Sequence, residues 1–287
     1  MTDLLTVEDH RARVLAAVAV LPAESVPLSE ASGRTLAEPV LAAHDLPGFD
    51  NSAMDGFAVR FADVEGTDAE NPATLRVIAD LPAGSSDDPS IGEGEAVRIM
   101  TGAPVPADAD AIVPFEDTAG GLADSLGTVT VLRAPAASGV FIRRRGGDTR
   151  AGDVVLSPGE RLGPFALGAA AAAGVDTVAV TRRPRVAVVS TGSELVAPGR
   201  TPGRGQTPDS NATLLAAVVA RADADVELVD RIGDDPAGID SVLARAARAD
   251  VVVFTGGVSA GAYEPVRLAL ADRIAFDKVA MQPGKPQ

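Results

Sequence analysis

The apolar residues of this chain follow two different patterns. From residue 186 onward they come in short continuous runs separated by helical periodicity. Val186–Ser190, Val226–Val229 and Val251–Phe254 read as strands buried on both faces, because β-branched runs without polar alternation suit a covered parallel sheet. Between them, Asn211–Arg221 and Pro236–Arg248 read as helices, the second capped by Asp235. A short helix near Val266–Ala271 and a strand near Ile274–Val279 follow. Strand and helix alternating at this spacing predict a parallel sheet with helices on both faces.

Residues 61–142 look different. Short β-like runs (Leu75–Ala79, Ala96–Met100, Ala111–Pro114, Thr128–Leu132, Gly139–Ile142) are separated by Gly, Pro, Asp and Ser, which predicts a small all-β domain, barrel or sandwich. Before it, Thr6 and Asp9 form an N-cap arrangement, and Val7, Val14, Leu15 and Val18 mark one face of a helix that stops before Pro22. After it, Pro164 opens an Ala-rich helix that closes at Gly174. That second helix is expected to pack back on the first, which makes the β region an insertion. The domains are therefore expected at 1–45 with 143–181, at 46–142, and at 182–287, with Arg182-Arg183-Pro184 as a linker.

Composition narrows the chemistry. Cysteine is absent, which removes disulfides, thiol nucleophiles and thiolate metal sites and fits a cytoplasmic protein. A net charge of −15 argues against nucleic-acid and membrane-surface binding and leaves anionic ligands dependent on local basic groups. Of the 25 basic residues only Lys278 and Lys285 are lysine, so they mark either a place that wants a compact ammonium in place of a planar fork, or chance. With His10 and His44 as the only histidines, a histidine metal centre is not expected.

Ligands of open parallel sheets bind at the carboxyl ends of the strands. Three loops fall there: Thr191-Gly192-Ser193-Glu194, Gly233-Asp234-Asp235 and Thr255–Gly261. In the last, Gly256 and Gly257 permit a tight turn and close approach to backbone N–H groups near a helix start, where an anion can sit. Such a turn alone is equally an ordinary connection; its convergence with two further loops favours binding. In the β region, Asp50 and Asp55 flank a tight loop and could hold a hard cation or act on a bound water, although turn chemistry accounts better for Asp50. Thr101 opens a rigid, proline-bearing loop. Arg143-Arg144-Arg145-Gly146-Gly147-Asp148 is the densest positive charge in the chain, either an oxyanion clamp or a strand end paired with acids.

With these stretches in view, the chain resembles the molybdopterin molybdenumtransferase family, which includes the E domain of gephyrin. The resemblance is carried by DNSAMDGFAV (50–59), IMTGAPVPADADAIVP (99–114), IRRRGGDTRAGDVVLSPGERLGP (142–164), VAVVSTGSEL (186–195), DDP (234–236), TGGVSAG (255–261) and PGKP (283–286), in the family's order over nearly the whole chain. It implies a multidomain α/β plus β fold: an elongated helical domain interrupted by a small all-β domain, then a three-layer α/β molybdopterin-binding domain. Further elements of that domain and a C-terminal β domain are implied beyond Gln287, so these residues read as a piece of a longer protein.

The implied reaction inserts molybdenum from molybdate into adenylylated molybdopterin with release of AMP, assisted by Mg2+, in a homodimer whose further partners are other proteins of molybdenum cofactor biosynthesis. By this resemblance Asp55, Thr101, Arg143 and Asp148 lie on the catalytic, molybdate side. Thr191, Gly192, Ser193, Glu194, Thr255, Gly256, Gly257, Ser259, Lys278 and Lys285 bind substrate, the lysines near its phosphate. Glu194, Asp234 or Asp235, and Glu264 surround the cation. Where many relatives carry Lys-Pro-Gly-Lys, this chain has Gln282-Pro283-Gly284-Lys285, one charge fewer. The alternative is a module that binds molybdopterin without catalysis, or a scaffold.

Overall fold

The computed structural model describes residues 4–121, 126–257 and 265–282. It divides into two compact units, Met1–Ala37 with Ala179–Gln287, and Glu38–Val178.

The Glu38–Val178 unit is built on a five-stranded sheet. Its strands lie in the order Ala111–Pro114, Gly56–Val59, Glu95–Ile99, Ala73–Leu81, Thr128–Val131. Neighbours are antiparallel except Ala73–Leu81 and Glu95–Ile99, which run parallel. Because side chains alternate across a strand, successive residues feed two cores. Phe57, Val59, Val113, Phe115 and Val129 pack on one face. Ala58, Val97, Ile99, Ile112 and Leu81 pack on the other. Phe57 and Phe115 meet edge to face, centroids 5.3 Å apart. Gly56 admits no side chain, since a Cβ there would fall 2.0 Å from the Val113 carbonyl oxygen. The run expected at Gly139–Ile142 is reduced to Ile142–Arg143, which pairs antiparallel with Asn51–Ser52. The Pro164–Ala172 helix forms as expected, starting on proline and followed by Gly174 at φ +80°. A Cβ on Gly174 would reach within 2.4 Å of the His44 ring, which gives His44 a packing role.

In the other unit the N-terminal helix spans Val7–Ala17, with the Thr6 hydroxyl accepting the Asp9 N–H at 3.0 Å. The elongated helical domain does not form. Only five α-helices occur among the described residues, and the Val7–Ala17 and Pro164–Ala172 helices belong to different units. The face expected to be covered is open: Val14 is 50% exposed, Leu15 61% and Val18 67%. Pro22, Pro27 and Pro39 explain why helix does not continue, each removing an N–H donor. Instead Ala23–Pro27 pairs with the strand Thr177–Thr181 and Leu36 bridges Val180. Arg34, 6% exposed, joins Glu24 at 2.5 Å and the Thr181 carbonyl at 3.0 Å.

The parallel sheet of this unit has Arg185–Thr191 in the centre, Asp225–Ile232 on one side and Val251–Thr255 on the other. Alternate residues of the central strand enter opposite cores. Val189 joins Ile232, Ile239, Val242 and Leu270 on one face. Val186 and Val188 join Val219 on the other. The helices Ser210–Arg221, Ala237–Arg245 and Pro265–Leu270 supply these layers. The strand expected at Ile274–Val279 is no more than an isolated parallel bridge between Leu5 and Val279. No helix among the described residues is long and apolar enough to cross a membrane.

The segment read as a linker is anchored. Arg182 grips Asp250 through two bonds of 2.9 and 2.8 Å, and Asp250 also accepts the Arg185 N–H at 2.7 Å. Arg183 pairs with Asp223 at 2.8 Å. The Arg182 guanidinium first, and then the Arg185 amide, hold the Asp250 carboxyl down to about 2 from an ordinary 3.8. A depressed carboxyl contributes stability that is present above its unfolded pKa and disappears as pH falls through the folded one. The expected outcome is a loss of stability between about pH 4 and pH 2 that is shallower in Asp250→Asn, which is already less stable at pH 7. Denaturant titrations across that range measure it, and parallel curves for the two proteins would contradict it.

Candidate functional site

The expected site residues fall into two groups, one in each unit. In the α/β sheet the chain leaves the central strand for Asp225–Ile232 and then crosses to Val251–Thr255 on the far side. This order reverses direction beside Arg185–Thr191, the kind of switch point where ligands bind at the carboxyl ends of strands. Thr191-Gly192-Ser193-Glu194, Gly233-Asp234-Asp235 and Thr255-Gly256-Gly257 all lie at this edge.

Backbone geometry fixes these loops. Gly256 has φ +87°, and a Cβ on it would fall 2.6 Å from the Thr191 carbonyl oxygen. Gly257 has φ +63°, with Thr191 Oγ1 2.9 Å from a Cβ position. Both therefore need glycine. The first two loops interlock: Ser193 N–H donates to Asp234 Oδ2 at 3.1 Å, and Asp234 N–H donates to Ser193 Oγ at 3.2 Å. Gly192 N–H reaches the Ile232 carbonyl at 3.0 Å. Asp235 does not occupy the cap position of Ala237–Arg245, which belongs to Pro236, but its carboxylate accepts the Ala237 N–H at 3.0 Å. Glu194, Asp234, Asp235 and Lys278 are exposed. The Lys278 carbonyl accepts the Leu5 N–H at 2.9 Å. Among the described residues no three His, Cys, Asp or Glu side chains converge as a metal site. Ser259, Glu264 and Lys285 lie outside the described residues.

Asp209 and Asn211 were not anticipated. Asp209 is 2% exposed and caps Ser210–Arg221 through the Ala212 N–H at 3.1 Å. It also accepts Ser190 Oγ at 3.1 Å and Arg231 Nε at 3.4 Å. Asn211 Nδ2 donates to Thr255 Oγ1 at 2.9 Å, and Thr191 Oγ1 donates to the Thr255 carbonyl at 3.3 Å. The signal was present: an aspartate before an apolar helical run is a cap signature.

In the Glu38–Val178 unit, Thr101 N–H donates to Asp55 Oδ1 at 2.6 Å. This backbone bond, and then the Thr101 hydroxyl, hold the Asp55 carboxyl below its ordinary range, so it is ionised at neutral pH. Asn51 gathers the neighbouring pieces: it pairs with Arg143 on one side and bridges Pro104 on the other. Gly102 N–H reaches the Ser52 carbonyl at 2.9 Å, which ties the Thr101 turn to the same segment. Asp148 is held from the far side of the arginine turn, its N–H on the Leu46 carbonyl at 2.9 Å.

The arginine run separates into two kinds. Asp50 accepts the Arg145 N–H and Arg144 Nη1, both at 2.7 Å, and these bonds lower its pKa in that order. Asp45 takes Arg145 Nε at 2.6 Å. Arg144 and Arg145 are thus neutralised within the fold. Arg143 and Asp148 are exposed and have no side-chain hydrogen bond or ion pair among the described residues. A cavity of about 360 Å³ in this unit is lined by Phe49, Ser85, Ser86, Asp87, Asp88, Pro104, Val105 and Ala107, none of them an expected site residue.

Comparison with known proteins matches both groups. Residues 5–174 match the MoeA N-terminal region (domain I and II), and residues 187–287 match the probable molybdopterin binding domain. The second match covers the loops at the sheet edge and defines the class of domain to which they belong. Molybdopterin molybdenumtransferase 2 of Mycobacterium tuberculosis is 45% identical over 98% of this chain and 71% of its own length. Molybdopterin molybdenumtransferase of Staphylococcus aureus is 35% identical over 98% of this chain and 67% of its own. The crystal structure of the molybdopterin biosynthesis MoeA protein of Pyrococcus horikoshii superposes with a TM-score of 0.85 at 30% identity, covering 99% of this chain and 71% of that one. The chain belongs to the molybdopterin molybdenumtransferase, or MoeA, family.

Gly256→Ala tests the loop geometry. It is expected to destabilise the unit by about 1–3 kcal/mol, the cost of a side chain in a left-handed conformation with a close neighbour. Gly168→Ala is the control. It sits in the exposed interior of Pro164–Ala172 with nothing within 4 Å of a Cβ, and is expected to stabilise by about 0.5–1 kcal/mol. Denaturant unfolding measures both; a neutral Gly256→Ala would refute the close approach.

Proposed function

We propose that this chain inserts molybdenum from molybdate into adenylylated molybdopterin and releases AMP. The observation that carries the reading is the convergence of three loops at the carboxyl edge of the sheet, inside the region that matches the molybdopterin binding domain. Thr255, Gly256 and Gly257 offer a hydroxyl and backbone donors there, Thr191, Gly192 and Ser193 shape the adjoining wall through bonds made inside the protein, and Lys278, with Lys285 and Ser259, adds contacts to the anionic substrate.

A cation shared with a pyrophosphate needs only one or two protein carboxylates, and Mg2+ so bound would neutralise the pyrophosphate charge. The residues fit that demand. Asp234 keeps one carboxylate oxygen beyond its bond to Ser193, and Asp235 keeps one beyond its bond to Ala237. Glu194 is exposed on the adjoining loop, and Glu264 belongs to the proposed set.

Molybdate is a dianionic substrate and needs donors. Arg143, whose guanidinium has no partner among the described residues, supplies them, and Thr101, its hydroxyl and N–H turned to Asp55, shapes the turn beside it. Asp55 is ionised and fixed by the Thr101 amide, so its role is to orient the Thr101 turn and to hold a proton acceptor beside the oxyanion. Asp148, whose carboxylate has no partner among the described residues, would orient a guanidinium or a water once substrate is bound. No protein nucleophile is required: the dithiolene thiols bond molybdenum as molybdate oxygen leaves as water, and a water or molybdate oxygen attacks the phosphoanhydride as AMP departs. The protein works by positioning and charge neutralisation. Two chains form the working unit, each contributing to one site, in keeping with the family resemblance.

Molybdate-dependent AMP release from adenylylated molybdopterin, with magnesium, tests this. Asp55→Ala is expected to lower turnover by about 100-fold or more with affinity retained. Lys278→Ala is expected to weaken substrate affinity about ten-fold. Binding without release in the unmodified chain would favour a non-catalytic binding module, and normal turnover in Asp55→Ala would remove that residue from the site.

A further inference from the structure

The geometry points to Asn211 as a positioning residue that makes the Thr255 hydroxyl, and not that of Thr191, the hydrogen-bond donor to the substrate's anionic group. The inference rests on the function proposed above and goes beyond it, since it separates two hydroxyls that the sequence could not tell apart.

Asn211 Nδ2 lies 2.9 Å from Thr255 Oγ1. An amide NH2 can only donate, so Thr255 Oγ1 accepts, and its own hydrogen remains available for an incoming oxyanion. Thr191 is the reverse case. Its hydroxyl donates to the Thr255 carbonyl at 3.3 Å, which consumes its hydrogen inside the protein. Of the two hydroxyls, only Thr255 faces a ligand as a donor. It immediately precedes Gly256, so the same turn presents a hydroxyl and a backbone that a ligand can approach closely.

What places Asn211 is the buried Asp209. It caps the helix whose first turn carries Asn211, and it is tied to Ser190 on the central strand and to Arg231 on the neighbouring strand. With the Asn211–Thr255 bond, this clasp reaches all three strands of the sheet. Arg231 and the helix N-terminus offset the Asp209 charge, so the clasp does not repel an anion. The chemistry at 211 must be neutral and donating. A carboxylate there would take the Thr255 hydrogen and add a negative charge at the site.

Asn211→Asp therefore discriminates. On structural grounds alone it is harmless, because aspartate in the first turn of a helix is favourable. Calorimetric titration with adenylylated molybdopterin is expected to show affinity about ten-fold weaker in Asn211→Ala and Thr255→Val, and about 100-fold weaker in Asn211→Asp. Asn211→Ala combined with Thr255→Val is expected to be no weaker than Thr255→Val alone, since the two act as one unit. Thr191→Val, which removes a hydroxyl that donates only to the Thr255 carbonyl, is expected to lose clearly less affinity than Thr255→Val. In turnover, KM rises with kcat within about two-fold. Unfolding midpoints show that the variants are folded, with Asn211→Asp at least as stable as Asn211→Ala. Asn211→Asp binding as well as Asn211→Ala, or Thr191→Val falling as far as Thr255→Val, would overturn the inference while leaving the proposed function standing. A parent protein that does not bind adenylylated molybdopterin would overturn the proposed function itself, and this inference with it.

Discussion

The α/β unit depends on one constraint: its central strand, Arg185–Thr191, is hydrogen-bonded on both edges and covered on both faces. Such a strand has no free backbone group and no wet side along its length, so polar function must collect at its end. Ser190 is fully buried one residue before the strand end, and its hydroxyl is satisfied by the carboxylate of Asp209. The capping helix, the Gly-rich loop and the acidic loop are all referred to this strand end. A buried carboxylate would be costly if it served one partner. Here it serves a serine, an arginine and a helix N-terminus together, which is the condition under which buried charge persists.

The other unit solves a different problem, how to concentrate positive charge in an acidic chain. Consecutive arginines repel one another, and Asp45 and Asp50 neutralise two of them where they stand. The pairing has a directional result. Arg144 and Arg145 are drawn to the aspartates, while Arg143 lies opposite Asn51 in the strand pair, on the segment that is joined to the Thr101 turn. The acids neutralise two of the three arginines and leave the third without a side-chain partner among the described residues.

Much of this was legible in the sequence. The α/β alternation from Val186 to Phe254 is encoded by local periodicity, and each predicted strand and helix there lies within a few residues of its observed place. The Thr6 cap and the proline-started helix at Pro164 were equally local signals. The misses were non-local. Val14, Leu15 and Val18 carry a helical stripe, yet a stripe does not say whether anything covers it. Ile274–Val279 has strand composition, but a strand exists only where a partner pairs with it, and Leu5 bridges it at one position. At the candidate site, Asp55, Thr101 and the glycines stood out because turn chemistry is written in residue type. Asn211 did not, since its role depends on which way one hydrogen points.

The Leu5–Val279 bridge has a consequence for the order in which the polypeptide matures. Residues 38–178 make a unit whose strands all lie within 141 consecutive residues, so nothing later in translation is needed to close it. The companion unit is assembled from both sides of that segment. Leu5 emerges early and must wait until Lys278 and Ala280 have been synthesised before its N–H and carbonyl find their partners. During that interval the open helix face at Val14, Leu15 and Val18 is carried by a nascent chain whose own sheet does not yet exist. Synthesis therefore imposes a sequence of events that equilibrium refolding of the whole chain would not reproduce.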